Sequence, residues 1–290
     1  MTTVSWGVQE ESPAGPASLV AGGIAAPGYM VVAHLHRSRY FDVYDVFSEE
    51  RSCRCIAKLP IPGTGSDVKM RRRVVREGTL LKRLTHPHIV RLYEIVKEPG
   101  PALILETLSG STLSHLIDTS RRRLAVADIA QLGLHLCSAV HYLHGRNILH
   151  LDLKPSNIIA EFGYAKIIDL SIARPPGRGV PGAGTVQYLA PEQARGTCMT
   201  PAADVWGIGA VLFEATTDLV PFNRAWESDD RPDVYEQTEI RLESVRVHRR
   251  VPQAFAAIVD DCLEPEPSRR PTVAALAGRL DAFLAAPYPT

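Results

Sequence analysis

Apolar residues in the first part of the chain fall into short runs rich in β-branched and aromatic side chains, which is typical of strands. These runs lie at residues 29–33, 42–47, 54–59, 90–96 and 102–105. One longer stretch, residues 68–84, has the spacing of a helix. The pattern therefore predicts a small sheet with one main helix packed against it.

After residue 110 the spacing of apolar residues becomes helical. Helices are predicted at residues 129–144, 204–217, 254–262 and 273–284. Residues 175–184 are so rich in Pro and Gly that we expect a loop without regular structure. A small sheet region followed by a larger, mainly helical region indicates an α+β fold with two lobes.

The two ends of the chain lack a sustained pattern. Residues 1–27 are rich in Gly, Pro, Ala and Ser, and we expect them to form a disordered N-terminal tail. The ordered domain is then expected at residues 28–286, with residues 287–290 as a C-terminal tail. Within the domain, the change of pattern separates a first lobe, 28–105, from a second lobe, 111–286.

Composition narrows the classes of function. The 290 residues are 45% hydrophobic, which is enough for one large domain or two packed lobes. A net charge of zero favours neither nucleic acid nor an anionic membrane as a partner. The basic runs Arg71–Arg73 and Arg121–Arg123 are interpreted as solvated surface and are assigned no partner.

Cysteine usage and the absence of long apolar runs bear on location. The five cysteines, at positions 53, 55, 137, 198 and 262, have no spacing typical of a disulfide framework, which favours a reducing compartment. Cys53 and Cys55 have no second Cys/His pair with which to hold a metal. No apolar run reaches the roughly 18 residues that a membrane helix needs. We expect a cytoplasmic protein.

Candidate chemistry is concentrated in the sequence HLDLKPSN at residues 150–157. It places Asp152 and Asn157 five positions apart, and a second carboxylate, Asp169, follows the apolar residues 165–168. Phosphoryl transfer requires one group that orients the acceptor hydroxyl and others that hold Mg²⁺ against the phosphates. We assign Asp152 to the first role, and Asn157 and Asp169 to the second.

These motifs resemble the catalytic loop and the D-F-G segment of protein kinases, above all of eukaryotic-like (Hanks-type) bacterial Ser/Thr kinases. The resemblance extends over residues 29–284 and implies the bilobal kinase fold. It also implies that Lys58, in the sequence CIAK, contacts the α and β phosphates of ATP. Glu77, in the helix that follows, is implied as the ion-pair partner of Lys58.

The same resemblance implies a nucleotide pocket and a peptide-binding segment. Leu105 would be the gatekeeper, residues 106–110 the hinge, and mainly apolar side chains would surround the adenine. The implied nucleotide-binding residues are Val43, Ala57, Lys58, Leu105, Glu106, Leu108, Ile159 and Ile168. Lys154 would contact the transferring phosphate, and Thr185 would hydrogen-bond both Asp152 and Lys154. Glu192 and Arg270 would form a buried ion pair, and Asp204 would hold the backbone of the catalytic loop.

The sequence departs from the family pattern in three places. His36, Ser38 and Phe41 stand where the family has the glycines of its phosphate loop, and we hypothesise that Arg37 and Arg39 provide cationic contacts instead. Leu151 replaces an arginine that binds a loop phosphate in many kinases, and residues 172–184 contain no Ser, Thr or Tyr. Ser171 replaces the glycine of D-F-G.

The function implied is therefore a Ser/Thr protein kinase that uses ATP and Mg²⁺ and needs no phosphorylation of residues 172–184. A nucleotide-binding pseudokinase scaffold is the alternative that the missing glycines favour. A small-molecule kinase is a weaker alternative, because the segment from Thr185 to Glu192 indicates a peptide substrate. The sequence leaves the protein substrate, the activating signal and the oligomeric state open.

Overall fold

The computed structural model describes residues 17–38, 40–62, 67–161, 163–223 and 235–286. Its first lobe is a six-stranded antiparallel sheet with the order β1-β2-β3-β4-β6-β5. The strands are β1 (Ile24–Ala26), β2 (Tyr29–Arg37), β3 (Phe41–Ser48), β4 (Cys53–Pro60), β5 (Leu92–Val96) and β6 (Ala102–Glu106). Helix α1 (Asp67–Leu81) covers one face of this sheet.

Gly78 allows α1 to lie close to the sheet. A Cβ atom at this position would lie 2.6 Å from a side-chain carbon of Leu103 and 2.8 Å from one of Ile95. Apolar side chains of α1, including Val74 and Leu81, pack here in the core that continues into the second lobe. The helix that carries Glu77 is therefore fixed against the sheet that carries Lys58.

Two boundaries differ from the predicted ones. The helix predicted at residues 68–84 ends at Leu81, and Leu84 follows in a turn in which its N–H bonds to the carbonyl of Leu81. Leu84 is nevertheless buried, so the apolar spacing continues past the end of the helix. Ordered structure also begins before residue 28, because β1 pairs with β2 inside the predicted tail, of which residues 1–16 lie outside the described part.

The second lobe is mainly helical. Its helices are α2 (Leu113–Thr119), α3 (Val126–His144), α4 (Pro191–Arg195), α5 (Pro201–Thr217), α6 (Val245–His248), α7 (Gln253–Cys262) and α8 (Val273–Ala285). Helix α5 is central, with every residue from Ala203 to Thr217 buried, and Gly209 allows it to approach α7 at Cys262. The α+β fold with two lobes is confirmed.

Short strands complete the second lobe. Strands β7 (Ser111–Thr112), β8 (Ile158–Glu161) and β9 (Tyr164–Ile167) form a three-stranded sheet below the cleft between the lobes. Strand β10 (Gly177–Arg178) pairs with β11 (Cys198–Met199). The prediction that residues 175–184 form no regular element is therefore wrong for two residues, because Gly177 and Arg178 lie between the prolines and keep the backbone groups that strand pairing requires. Within the described ranges, no helix is both long and apolar enough to cross a membrane.

Candidate active site

A cavity of about 180 Å³ lies in the cleft between the lobes. The sheet of the first lobe forms its roof, and β8 and the residues before it form its floor. Both lobes supply charged or polar side chains to it, namely Lys58, Glu106, Lys154, Asn157 and Asp169. The cleft thus brings together residues that are more than 100 positions apart in the sequence.

Lys58 on β4 is held between two carboxylates. Its Nζ lies 2.9 and 3.1 Å from the two carboxylate oxygens of Glu77 and 3.2 Å from Oδ2 of Asp169. Glu77 also accepts a hydrogen bond of 3.3 Å from the backbone N–H of Leu170. The predicted Lys58–Glu77 pair is present, and it is connected directly to the segment that carries Asp169.

Electrostatics keep Lys58 and Asp169 ionised, whereas burial raises the pKa of Glu77 although the charge of Lys58 opposes the rise. Burial alone would lower the pKa of Lys58, but the charges of Asp169 and Glu77 outweigh it and raise this pKa. Burial alone would likewise raise the pKa of Asp169, but the charge of Lys58 and hydrogen bonds from Ser171 hold it well below its ordinary value. Asp169 is therefore a carboxylate at neutral pH.

Asp152 is the centre of a second hydrogen-bond network. Its Oδ1 accepts bonds from the N–H of Thr185 at 3.0 Å and from the hydroxyl of Thr185 at 2.7 Å. Nζ of Lys154 lies 2.7 Å from the same hydroxyl and 3.6 Å from Oδ2 of Asp152. These contacts connect the catalytic loop with the segment that begins at Thr185, as the sequence predicts.

A left-handed backbone conformation at Leu151 positions this loop. Leu151 has φ of +67°, which costs a residue with a Cβ roughly 1–3 kcal/mol. Oδ2 and Oδ1 of Asp204 accept the backbone N–H groups of His150 and Leu151 at 2.9 and 2.8 Å. Asp204 therefore compensates for the strain, and the role predicted for it agrees with this geometry.

Asn157 and Asp169 are suitable ligands for a hard cation. The Nδ2 group of Asn157 donates to the backbone oxygen of Asp152 at 2.9 Å and to its Oδ2 at 3.1 Å. Its Oδ1 thereby remains as the ligand atom, and Asp169 is ionised in the same cavity. Mg²⁺ prefers a few oxygen ligands of this type together with substrate phosphates. These two residues fit the cation that the sequence implies.

The apolar wall of the cavity agrees with the sequence at most positions. Six of the residues predicted to bind nucleotide line it in addition to Lys58, namely Val43, Leu105, Glu106, Leu108, Ile159 and Ile168. Ala57 does not line it: this residue is buried on the opposite face of β4, against Tyr44 and Val46. Side chains alternate along a strand, so Ile56 shares the face of Lys58 and lines the cavity instead.

The hairpin between β2 and β3 has side chains where glycine would leave open space. His36, Ser38 and Phe41 all line the cavity, and the ring of Phe41 lies 5.1 Å from Nζ of Lys58. Ser38 caps the turn, because its Oγ accepts the N–H of Phe41 at 3.1 Å. The cavity, at about 180 Å³, is smaller than the roughly 300–1,000 Å³ of typical ligand sites.

The hypothesis that Arg37 and Arg39 contact phosphates gains no support. Arg37 forms a bidentate pair with Asp42, with Nε–Oδ1 at 2.8 Å and Nη2–Oδ2 at 2.7 Å, and Asp42 is buried. His34 contacts the same carboxylate at 2.9 Å. The guanidinium charge of Arg37 is thus used to hold the hairpin together, and Arg39 lies outside the described residues.

Two arginines of α1 reach the segment after Asp169, and the predictions from the sequence do not include these contacts. Arg73 donates to the hydroxyl of Ser171 at 2.9 Å and to its carbonyl at 3.3 Å. Arg76 donates to the carbonyl of Ala173 at 3.0 Å. The interpretation of Arg71–Arg73 as solvated surface is therefore wrong for Arg73. The i, i+3 spacing of Arg73 and Arg76 was the available signal, since it places both on one helix face.

The segment that follows Thr185 is fixed to the second lobe. Arg270 forms a bidentate pair with Glu192, with nitrogen–oxygen distances of 2.6 and 2.9 Å, and both side chains are buried. Nε2 of Gln193 donates to the carbonyl of Leu151 at 2.9 Å and to that of Ala183 at 3.3 Å. The predicted ion pair is present, and Gln193 is a positioning residue that sequence reasoning missed.

Two lobes around a cleft, with Lys58 paired to Glu77 and Asp169 and a second hydrogen-bond network centred on Asp152, define the protein kinase class. A profile of the protein kinase domain matches residues 32–279. The chain belongs to the protein kinase family.

Curated relatives agree with this assignment. The chain is 30% identical to CBL-interacting protein kinase 4 of Oryza sativa subsp. japonica over 239 residues. This aligned stretch covers 79% of this chain and 51% of the relative. The chain is also 33% identical over 222 residues to the serine/threonine-protein kinase PknB of Mycolicibacterium smegmatis, or 70% of this chain and 34% of the relative. The resemblance to bacterial Ser/Thr kinases is confirmed, and the chain spans about half or less of the length of these relatives.

Proposed function

We propose that this chain is an active Ser/Thr protein kinase that transfers the γ-phosphoryl group of Mg·ATP to protein hydroxyls. The observation that carries the proposal is the network around Asp152, in which Thr185 and Lys154 contact the carboxylate that would accept the proton of the substrate hydroxyl. Lys58, Glu77, Asn157 and Asp169 occupy the remaining polar positions that phosphoryl transfer requires.

Each residue has a definite task in this proposal. Asp152 orients the acceptor hydroxyl and accepts its proton, and Lys154 balances the charge on the transferring phosphate. Lys58 contacts the phosphates and is kept in place by Glu77. Asn157 and Asp169 would hold Mg²⁺, which supplies charge neutralisation on the phosphate oxygens when bound. Backbone groups of residues 106–108, with Val43, Ile56, Ile159 and Ile168 around them, would bind the adenine.

We further propose that activity does not depend on phosphorylation within residues 172–184. A loop-phosphate switch orders its segment by pairing the new charge with arginine. Leu151, at the position of that arginine, is buried among apolar side chains. Arg73 and Arg76 instead hold the start of the segment without a phosphate, and Glu192 and Gln193 hold its end. Contacts built into the sequence thus supply the order that phosphorylation supplies elsewhere.

The pseudokinase alternative keeps one specific observation in its favour, the small cavity rimmed by His36, Ser38 and Phe41. A cytoplasmic location also remains a proposal, supported by cysteines that are all free thiols.

Transfer of labelled phosphate from Mg·ATP to a pair of peptides that differ only in a central Ser or Tyr tests the activity and its specificity. Label on the Ser peptide alone, absent with Asp152→Asn, supports the proposal. ATP binding without transfer favours the scaffold.

A further inference from the structure

A second groove, of about 530 Å³, lies behind the active site between the end of α1, the turn after α3 and the start of the segment that follows Asp169. Four arginines line it, namely Arg76, Arg83, Arg146 and Arg174. No aspartate or glutamate is among the described residues of its lining. Between the arginines, Leu80, Leu84 and Ile148 provide an apolar surface.

Neutral groups hold three of these arginines in place. Arg76 donates to the carbonyl of Ala173 at 3.0 Å, and Arg174 donates to the carbonyl of Arg178 at 2.9 Å. The guanidinium carbon of Arg146 lies 3.5 Å from the centre of the Tyr142 ring. Within the described ranges, the ion pairs between arginine and a carboxylate involve arginines outside the groove. The guanidinium groups of the groove are thus oriented, and their charge is not balanced within the fold.

The charges on α1 also indicate an excess of positive charge on this side of the molecule. This helix contains five basic residues and two acidic ones, and Glu77, one of the two, is paired with Lys58. Lys69 and Arg73, and also Arg72 and Arg76, are like charges at i, i+4, which costs a helix a few tenths of a kcal/mol per pair. Cations in its first turns oppose the helix dipole as well. A chain of zero net charge therefore concentrates cations on this helix, of which Arg76 lines the groove, at some cost to helix stability.

We propose that this groove binds a phosphorylated Ser or Thr residue of a partner protein. A groove of about 530 Å³ holds only a short peptide segment, so its guanidinium groups favour a compact, multiply charged anion, which would offset about two of the four charges. A phosphoryl group carries roughly −1.5 to −2 charges and three acceptor oxygens, and arginine binds it in a bidentate manner. The apolar surface formed by Leu80, Leu84 and Ile148 would take a neighbouring apolar side chain of the same peptide.

Occupation of the groove would act on the catalytic cleft. Arg76 immediately precedes Glu77, and Arg174 lies five positions after Asp169. A phosphate that bridges the two arginines would fasten α1 to the segment after Asp169, in addition to the contacts of Arg73 with Ser171. This regulatory consequence rests on the proposed kinase activity, whereas the binding itself does not.

Retention of the full 290-residue chain on immobilised peptide libraries tests the binding without any phosphoryl transfer. The libraries have random flanks and a central phosphothreonine, glutamate or threonine, and vesicles containing phosphatidylserine form a fourth arm. We expect at least about tenfold more retention on phosphothreonine than on either other library, weakened by salt. Arg83→Gln/Arg146→Gln should abolish this preference. Arg121→Gln/Arg122→Gln, which removes two exposed arginines elsewhere, should keep it.

Arg83→Gln alone is the second variant, because the Arg83 side chain makes no hydrogen bond or ion pair with the described residues and its loss should leave folding intact. It should reduce retention on phosphothreonine severalfold at an unchanged unfolding temperature. Equal retention on glutamate and phosphothreonine, equal loss in the Arg121/Arg122 control, or vesicle binding in place of peptide binding would each overturn the proposal. If peptides are retained but no phosphate is transferred, the kinase proposal fails and the groove proposal stands.

Discussion

Arg73 donates its Nη2–H to the hydroxyl of Ser171 over 2.9 Å and thereby joins α1 to the segment that carries Asp169. The hydroxyl exists only because serine stands where the family has glycine. Since Glu77 lies on the same helix as Arg73, this contact and the bond from the N–H of Leu170 to Glu77 together fix the relative position of the two carboxylates that hold Lys58. We regard this contact as a built-in replacement for a loop phosphate.

Removal of the Arg73 side chain should therefore slow catalysis. A hydrogen bond from a charged group is worth about 1.5–3 kcal/mol, so Arg73→Met should lower kcat by about tenfold or more with a smaller change in KM for ATP. Arg72→Met, on an exposed position of the same helix, is the matched control and should leave kcat unchanged. Ser171→Gly should produce most of the same decrease in kcat. The decreases caused by the two substitutions should not be additive when they are combined.

Equal losses in the Arg72 and Arg73 variants would show that helix charge, and not the contact with Ser171, determines the rate.

Phe41 should limit nucleotide affinity, because its ring lies 5.1 Å from Nζ of Lys58, where phosphates would approach. Phe41→Gly should lower the Kd for Mg·ATP severalfold. The same change removes a buried ring from the core and should cost about 3–5 kcal/mol of stability. Phe41→Leu, which keeps an apolar side chain, should cost less stability and change affinity less. Calorimetric titration and thermal unfolding measure the two effects, and a weaker affinity of Phe41→Gly would contradict this account.

The second lobe could be predicted closely from the sequence, because its chemistry lies in contiguous motifs. HLDLKPSN fixes Asp152, Lys154 and Asn157 within one loop, and the structure places all three around the cleft. In the first lobe, the contribution of a residue to the cavity depends on which face of its strand it occupies. An error of one residue along a strand moves the side chain to the opposite face. The sequence therefore predicts Ala57 in the cavity wall, where the structure has Ile56.

The partners of some arginine side chains also could not be predicted from the sequence. Arg37 could not be assigned to Asp42, nor Arg73 to Ser171, because arginine has many possible partners within reach of its long side chain, and only the fold selects one. The strand β1 was missed because a segment of three residues shows no periodicity, and pairing with β2 is what orders it.

The Glu192–Arg270 pair should dominate the stability of the segment that follows Thr185. Breaking a buried ion pair by removing one partner costs about 3–5 kcal/mol, so Glu192→Ala should lower the free energy of unfolding by that amount. Asp261→Ala breaks the Arg279–Asp261 pair, which is partly exposed to solvent, and should cost less than about 1 kcal/mol. Denaturant unfolding compares them, and similar losses for both variants would contradict the prediction.

Glu214 should make stability depend on pH. Burial raises its pKa to about 7, although Tyr188 donates to it at 2.6 Å and partly opposes the rise. The folded protein then binds more protons at Glu214 than the unfolded chain between the ordinary pKa of 4.5 and about 7. The stability of the wild-type protein should thus fall as pH rises through this window, relative to Glu214→Gln. Unfolding free energies of the two proteins from about pH 5 to about pH 8 measure this, and a constant difference would refute it.

Transfer of labelled phosphate by unphosphorylated protein tests the central claim most directly. The chain, treated with phosphatase and freed from it, is given Mg·ATP and a Ser/Thr peptide, with Asp152→Asn as the control. We expect transfer at once, without a lag, and a loss of about 10²-fold or more in the control, as removal of a general base typically produces. Transfer that begins only after autophosphorylation would contradict independence from a loop phosphate, and nucleotide binding with no transfer by either protein would contradict the assignment as an active kinase.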